Sequence, residues 1–296
     1  MYYSPLRYPG GKSKLAPFME CMMMRLNHNG GTYIEPFAGG AGIAIELLEK
    51  QFAQHIVLND YDKGIYSFWR AALSDTERFI SDIRTAPLTI DEWRRNHDIC
   101  INNNNRYSYD LGFATFYMNR TNRSGIIKGG VIGGIQQNGK WKMDVRFNRE
   151  HLVDRILKIA KNRDRISLYN KDVRSFIQHY LPKYQNNALV YFDPPYYHKG
   201  HQLYLNFFNH NDHASIKNMI TSTNSVDWII TYDDTPEIRK LYEGQRVASF
   251  ELDYSASRRR QAHELIIFKP GISVPTNQEL EEENIFINLN DLDLDK

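Results

Sequence analysis

Asp193-Pro194-Pro195-Tyr196 closes an apolar run, Ala188–Phe192, and its residue types favour one kind of chemistry. Two prolines cannot continue a strand ladder, and they stiffen the backbone. Their carbonyls stay free to accept hydrogen bonds, Asp193 adds a carboxylate acceptor, and Tyr196 offers a flat face for stacking. Together these groups suit a planar base that carries an exocyclic amino group. Taken alone, the tetrapeptide reads equally well as a strand-ending turn with an incidental acid. What precedes it in the chain decides between the two.

Phe37-Ala38-Gly39-Gly40-Ala41-Gly42 follows a strand-like run, Thr32–Pro36, and leads into a helical pattern with Ile43, Ala44, Leu47 and Leu48 on one face. Glycines after a strand let the backbone approach a ligand, and the helix start offers free amides. Asp60 stands eighteen residues beyond Gly42, after a second strand-like run, His55–Asn59. Folds of this kind set a carboxylate there on ribose hydroxyls. After such a nucleoside-binding opening, the base-binding reading of Asp193–Tyr196 is preferred. Gly10-Gly11-Lys12-Ser13 is not a phosphate loop, because that motif needs a further glycine where this chain has Leu6. Lys12 alone reads equally as a group aimed at an anionic ligand or as a solvated lysine.

These residues need a scaffold that brings them together. Strand, glycine loop, helix, strand and acid in that order open a parallel α/β sheet. Ala188–Phe192 and Asp227–Thr231 read as further strands, and Val247–Leu252 with Glu264–Phe268 as an antiparallel pair at an edge. Between the halves the texture changes. Tyr66–Leu73 and Asp75–Arg84 read as helices, Asn102–Asn105 as a polar loop, and Gly125–Lys142 as a basic, glycine-rich stretch with a hairpin signal at Asn138-Gly139. The expected organisation is a discontinuous α/β domain (1–60 and 165–270), an inserted helical and β-hairpin domain (61–164) and an acidic tail (271–296).

The 296 residues are 42% hydrophobic, enough for a real core, so a disordered chain is excluded. No apolar run reaches the roughly 18–20 residues of a membrane span, and the first residues carry no signal-like apolar stretch. Two cysteines, Cys21 and Cys100, give neither a disulfide framework nor a cysteine zinc site. A cytoplasmic globular protein is expected. The net charge of +2 hides an asymmetry: Thr276–Lys296 holds seven acids and one lysine, whereas Tyr117–Arg174 holds fourteen Lys/Arg against five Asp/Glu. Such a basic stretch attracts a polyanion by counterion release or is simply a solvated face. The acidic tail reads as a flexible appendage or a self-shielding strand.

The motifs resemble those of the Dam-like (D12 class) DNA adenine methyltransferases, which use S-adenosylmethionine. The resemblance runs from about Ser4 to Phe268 with the motifs in matching order. Tyr8-Pro9-Gly10-Gly11-Lys12 is similar to the family's N-terminal cofactor motif, with Tyr8 where Trp is common. Glu35-Pro36-Phe37-Ala38-Gly39-Gly40 resembles its glycine motif, Asn59-Asp60 its ribose-binding pair, and Asn170-Lys171-Asp172 the segment that contacts the cofactor's adenine. Asp193–Tyr196 resembles its catalytic motif. The resemblance implies a Rossmann-like fold with a target-recognition insertion. It implies catalytic Asp193, Pro194, Pro195 and Tyr196, and a cofactor site of Tyr8, Lys12, Phe37, Ala38, Gly39, Gly40, Asp60, Asp172 and Asp193.

It further implies a target adenine flipped out of double-stranded DNA and stacked on Tyr196, with Asp193 and the Pro194 carbonyl accepting its amino protons. No metal and no membrane partner are expected; His198/His201 and His210/His213 lack a third ligand at zinc spacing. Pairing with a restriction nuclease is one setting for such an enzyme. Asn119, Arg120, Asn122, Arg123, Lys128, Lys140 and Lys142 are the candidates for DNA contact, since Arg and Asn read base edges and Lys meets phosphate, while Asn119-Arg120 reads equally as stabilising the insertion's own fold. Arg258-Arg259-Arg260 could clamp phosphates or sit in a solvated turn. The departure at Thr121–Gly125 from the family's Phe-Asn-Gly run bears on target sequence rather than chemistry. Cytosine N4 methylation, RNA adenine methylation and a silent DNA binder are the rival readings.

Overall fold

The computed structural model describes residues 3–7, 12–102, 107–198, 208–254 and 260–291. Seven strands form one sheet: β1 (Gly31–Glu35), β2 (Ala53–Asn59), β3 (Ile166–Tyr169), β4 (Ala188–Phe192), β5 (Asp227–Asp233), β6 (Arg246–Tyr254) and β7 (Arg260–Phe268). Their order is β3-β2-β1-β4-β5-β7-β6. The first five run parallel, and β7 is antiparallel to both β5 and β6. The sheet is therefore the α/β sheet read from the motifs, including the antiparallel pair at its edge. Its strand order reverses between β1 and β4. In open parallel sheets, ligands bind in the crevice beyond the carboxyl ends of the strands at such a reversal.

Both sheet faces are covered, which is why β4 reads as an unbroken apolar run rather than an alternating one. Successive side chains still point to opposite faces. Leu189 and Tyr191 join one apolar core, and Val190 and Phe192 join the other. All four are almost wholly buried, and burial of Leu189, Val190 and Phe192 contributes about 1.5–3 kcal/mol each. The first core lies under α1 (Ala16–Arg25), α2 (Gly42–Glu49) and α3 (Lys63–Ser74). The second lies under α8 (Val173–His179), α9 (His210–Thr221) and α10 (Pro236–Leu241).

Residues 61–164 hold α3, α4 (Thr76–Thr85), α5 (Ile90–Ile101), α6 (Tyr109–Thr121) and α7 (Arg149–Lys161). The apolar core does not part at residue 61: Phe68, Trp69, Phe79, Phe116 and Ile156 continue the core beneath the sheet. The Trp69 indole N–H donates to the Gly39 carbonyl at 2.9 Å, so α3 directly supports the glycine loop. The β-hairpin expected at Asn138-Gly139 is not formed. Instead residues 132–137 wind through successive turns, with one antiparallel bridge between Asn122 and Val131. Gln137, in the left-handed region, sends its amide to the Ile132 and Gly134 carbonyls and accepts from the Met143 N–H. The flanks lack the alternating apolar pattern that would pair as strands, so turn chemistry wins.

The acidic tail packs on the sheet as far as it is described. Thr276 and Glu279 form a capping box that starts α11 (Asn277–Glu282). Asn290 exchanges both backbone hydrogen bonds with Ser249 on the outer edge of β6. This is the self-shielding reading of the tail, and it covers part of an edge that would otherwise template pairing with another chain. Among the described residues, no helix is long and apolar enough to cross a membrane.

Candidate active site

Four strand ends bring the motif residues to one crevice. The glycine loop leaves β1, Asp60 leaves β2, Asn170-Lys171-Asp172 leaves β3, and Asp193–Tyr196 leaves β4. Asn59, buried at the end of β2, stitches three of these ends together. Its amide donates to the Pro36 and Lys171 carbonyls, and its oxygen accepts from the Lys171 N–H. Asn59 is thus a strut within the fold rather than a group open to a ribose. Asp60 is half-buried beside the glycine loop, where it accepts from the Gly39 N–H at 2.8 Å and the Asp62 N–H at 2.9 Å. Burial, reinforced by neighbouring Asp62, pushes its pKa up to about 7. Asp172 caps α8 through the Arg174 N–H and pairs with the Arg174 guanidinium, which holds its carboxyl below the usual range.

The turn into α2 is tight. Gly39 and Ala41 both adopt left-handed backbone conformations, at φ of 46° and 45°. At Gly42 an added Cβ would stand 2.2 Å from the Ser13 hydroxyl, so a side chain there would displace that hydroxyl from beside the segment that carries Lys12. Phe37 is half-buried and meets Phe208 edge-on, with ring centroids 6.0 Å apart. Ala38 and Gly40 are buried in the loop. Glu35, at the end of β1, accepts from the Ala44 N–H in the first turn of α2.

Burial pushes the Glu35 pKa from its ordinary 4.5 up to about 8. A carboxyl whose folded pKa is raised loses stability as pH climbs from its unfolded value to its folded one. Between pH 4.5 and 8 this group therefore lowers stability, by on the order of a few kcal/mol at about 1.4 kcal/mol per pKa unit. Glu35→Gln keeps an acceptor for Ala44 and cannot ionise. Urea unfolding at pH 5 and pH 8 is expected to show a flatter pH dependence for the variant than for the parent. Parallel pH dependences would show that Glu35 does not titrate in this range.

The centre of the crevice is a four-residue polar network. The Lys12 ammonium lies 3.3 Å from Asp193 Oδ1, 2.8 Å from Glu264 Oε2 and 3.0 Å from the Tyr196 hydroxyl. That hydroxyl donates to Glu264 Oε1 at 2.8 Å, and the ammonium sits 4.8 Å from the Tyr196 ring centroid. Asp193 Oδ1 also accepts from the Thr231 hydroxyl at 2.9 Å, and Thr231 in turn is 2.7 Å from the Tyr191 hydroxyl. Oδ1 is thereby committed to the protein, and Oδ2 is the oxygen left to a ligand. Lys12 and Glu264 side chains are each 2% exposed, whereas that of Asp193 is 24% exposed. Burial raises the Asp193 pKa, and the Lys12 charge opposes that rise. Pro194 is buried, Pro195 half-buried, and Tyr196 only 8% exposed.

The seven residues considered for DNA contact divide by burial. Asn119 is buried and saturated: it accepts from the Arg7 N–H and donates to the Arg7 and Gly125 carbonyls. Asn122 accepts from the Trp93 indole and donates to the Ile126 and Ile127 carbonyls. Arg120 donates to the Arg146 and Pro5 carbonyls, and burial among other arginines lowers its pKa. These three therefore hold the inserted helices together and present no group to a duplex. Arg123, Lys128, Lys140 and Lys142 are exposed, and between the last two stands Trp141, 61% exposed. His213 is likewise a core residue, buried against the Tyr232 hydroxyl. Tyr8, Pro9, Gly10, Gly11, Asn103–Asn105, His201, Arg258 and Arg259 lie outside the described residues.

Glu264 was not among the residues singled out from sequence. Its one signal is a glutamate inside an otherwise apolar strand, Glu264–Phe268, where a buried charge demands a partner.

The site suits a cationic ligand beside an amino-bearing base. Asp193 and Glu264 bring two carboxylates against the Lys12 ammonium, and the Asp193 side chain is 24% exposed. A sulfonium and an α-ammonium, the cationic groups of S-adenosylmethionine, suit such a carboxylate, with the glycine loop and Asp60 alongside.

The sequence comparisons agree. The model of the D12 class N6 adenine-specific DNA methyltransferases matches residues 8–256. The type II methyltransferase M.MjaIII of Methanocaldococcus jannaschii is 24% identical over 204 residues, covering 64% of this chain and 68% of its own. Among solved structures, the rRNA methyltransferase aviRa from Streptomyces viridochromogenes aligns at 11% identity over 88% of this chain and 86% of its own, with a TM-score of 0.40. A SAM-dependent methyltransferase from Agrobacterium tumefaciens aligns at 12% identity over 87% and 62%, with a TM-score of 0.38.

Proposed function

This chain belongs to the D12 class N6 adenine-specific DNA methyltransferases, enzymes that methylate adenine in DNA from S-adenosylmethionine, and we propose that it does so through Asp193–Tyr196 on an adenine flipped out of the duplex. The observation that carries this assignment of residues is the committed Oδ1 and available Oδ2 of Asp193 at the sheet's reversal point.

S-adenosylmethionine, when bound, supplies an electrophilic methyl group on a sulfonium. The residues that would hold it are Lys12, Phe37, Ala38, Gly39, Gly40, Asp60, Asp172 and Asp193, with Tyr8 from the neighbouring segment. The chain's part is to make a poor nucleophile competent. The adenine amino lone pair is delocalised into the ring. Asp193 Oδ2 and the Pro194 carbonyl accept hydrogen bonds from its two protons, which localises the lone pair and aims it. Tyr196 and Pro195 wall the base, and the Glu264 acceptor fixes how the Tyr196 ring is turned. The amino nitrogen becomes acidic only after it gains the methyl group, and Asp193 then accepts the departing proton. Positioning and electrostatics account for the rate.

Residues 1–60 and 165–270 serve as the catalytic part and 61–164 as the part that meets DNA. Exposed Arg123, Lys128, Lys140 and Lys142 meet phosphates or bases, and exposed Trp141 supplies an aromatic face among them. The setting that this proposal carries is the cytoplasm, beside a restriction nuclease that cuts copies of the same site that this enzyme has not modified.

The test is direct. Purified protein, S-adenosylmethionine and unmethylated genomic DNA are incubated, and the digested nucleosides are quantified by mass spectrometry. N6-methyldeoxyadenosine is expected. Methylated deoxycytidine, methylated RNA alone or no product would each overturn the reading. In a DNA-binding titration over a range of salt, Lys128→Ala/Lys140→Ala/Lys142→Ala should weaken binding and reduce the slope of log affinity against log salt by up to about three. An unchanged slope would remove these lysines from the DNA face.

A further inference from the structure

Glu264 lies on β7, opposite Asp233 of β5 and Phe250 of β6 in the ladder, and no ligand reaches its 2%-exposed side chain. One carboxylate nevertheless touches two site residues at once, with Oε2 on the Lys12 ammonium and Oε1 on the Tyr196 hydroxyl. We propose that Glu264 is a positioning residue for methyl transfer: from the antiparallel strand it sets the Tyr196 ring against the target base and holds the Lys12 ammonium on Oδ1 of Asp193. The inference rests on the adenine methyltransferase reading of the site above.

A buried ion pair replaced whole by apolar residues often breaks even or better, so stability alone does not account for a glutamate here. What an apolar residue cannot do is hold two polar groups at fixed separations. A phenol with its hydroxyl released can turn about its ring axis and tilt. An ammonium freed from Glu264 can slide toward Oδ2 of Asp193, the oxygen that must accept the adenine amino proton. Both movements are small, and misplacement of about 1 Å costs on the order of 100-fold in rate. Glu264 therefore acts on the rate of transfer, through Tyr196 and Lys12, and not on ligand binding.

The test is a double-mutant cycle read in single turnover, with Glu264→Gln, Tyr196→Phe and the pair. Each single variant is expected to lower the transfer rate about 10- to 100-fold, with Kd for S-adenosylmethionine and for DNA within about twofold of the parent. The pair is expected to lose less than the product of the single losses, because Glu264→Gln makes neutral, and so weakens, the acceptor of the same hydrogen bond that Tyr196→Phe removes. Glu264→Gln at the parental rate, or losses that multiply, would overturn the proposal. So would a fall in melting temperature with an unchanged rate, the mark of a purely structural role. If Glu264→Gln fails to fold by circular dichroism, Tyr196→Phe alone decides, and a parental rate there sinks the idea. A parent enzyme that yields no N6-methyldeoxyadenosine overturns the functional reading and this inference with it. An active parent and a silent Asp193→Ala beside a fully active Glu264→Gln would overturn this inference alone.

Discussion

Asp193→Ala is expected to abolish methyl transfer, lowering the single-turnover rate by at least about 1,000-fold, the scale of losing an aligned electrostatic group in a buried site. The protein should nevertheless fold. Asp193 and Glu264 share the Lys12 ammonium, so deleting Asp193 still leaves Lys12 paired with Glu264. The melting temperature should therefore hold while activity disappears, a pairing that separates catalytic loss from unfolding. Asp193→Asn is expected to be as silent. Its oxygen can keep Thr231 and Lys12, but its amide then points two donors at an amino group that also needs to donate. The ionised carboxylate is the useful form, and burial raises its pKa. Transfer in the parent should therefore increase with pH through that pKa and then level. A rate for Asp193→Ala within tenfold of the parent would show that another acceptor orients the base.

The fold was legible because its strands carry unusually clear runs. TYIEP, HIVLN, ALVYF and DWIIT each end at the crevice, and each matches an observed strand to within two residues. β3, four residues long and half-buried throughout, lacks such a run and was not recognised as a strand. The site was legible where the backbone itself was distinctive, at the glycine loop and the double proline. It was illegible where only tertiary packing gives a side chain its meaning. Asn119, Arg120 and Asn122 have the chemistry of base readers, yet α6 is buried on every side, and their donors and acceptors are consumed by carbonyls and amides of the same fold. Residue type states what a group can bond to, not which partner reaches it first. Glu264 shows the converse. It is 71 residues from Asp193 in sequence, and only the antiparallel placement of β7 beside β5 sets it against Lys12.

Lys12→Met should give the largest loss of stability. The methionine keeps most of the stem's volume, so the change isolates the charge. It leaves Asp193 and Glu264 buried together without the ammonium they share, and breaking a buried pair this way costs about 3–5 kcal/mol. The loss carries a pH signature. Burial raises the Asp193 pKa and the Lys12 charge opposes that rise, so without Lys12 this carboxyl destabilises the fold more as pH climbs from its unfolded to its folded value. The variant should lie closer to the parent at low pH than at pH 8, where the full difference should appear in urea unfolding. Equal differences at the two pH values would mean that Lys12 contributes packing rather than charge. The companion variant Lys12→Met/Glu264→Gln separates the two roles of the network. Removing one carboxylate along with the cation should recover much of the stability at pH 8. It should recover none of the activity, because the ammonium that holds Oδ1 of Asp193 and the carboxylate that turns Tyr196 are then both gone.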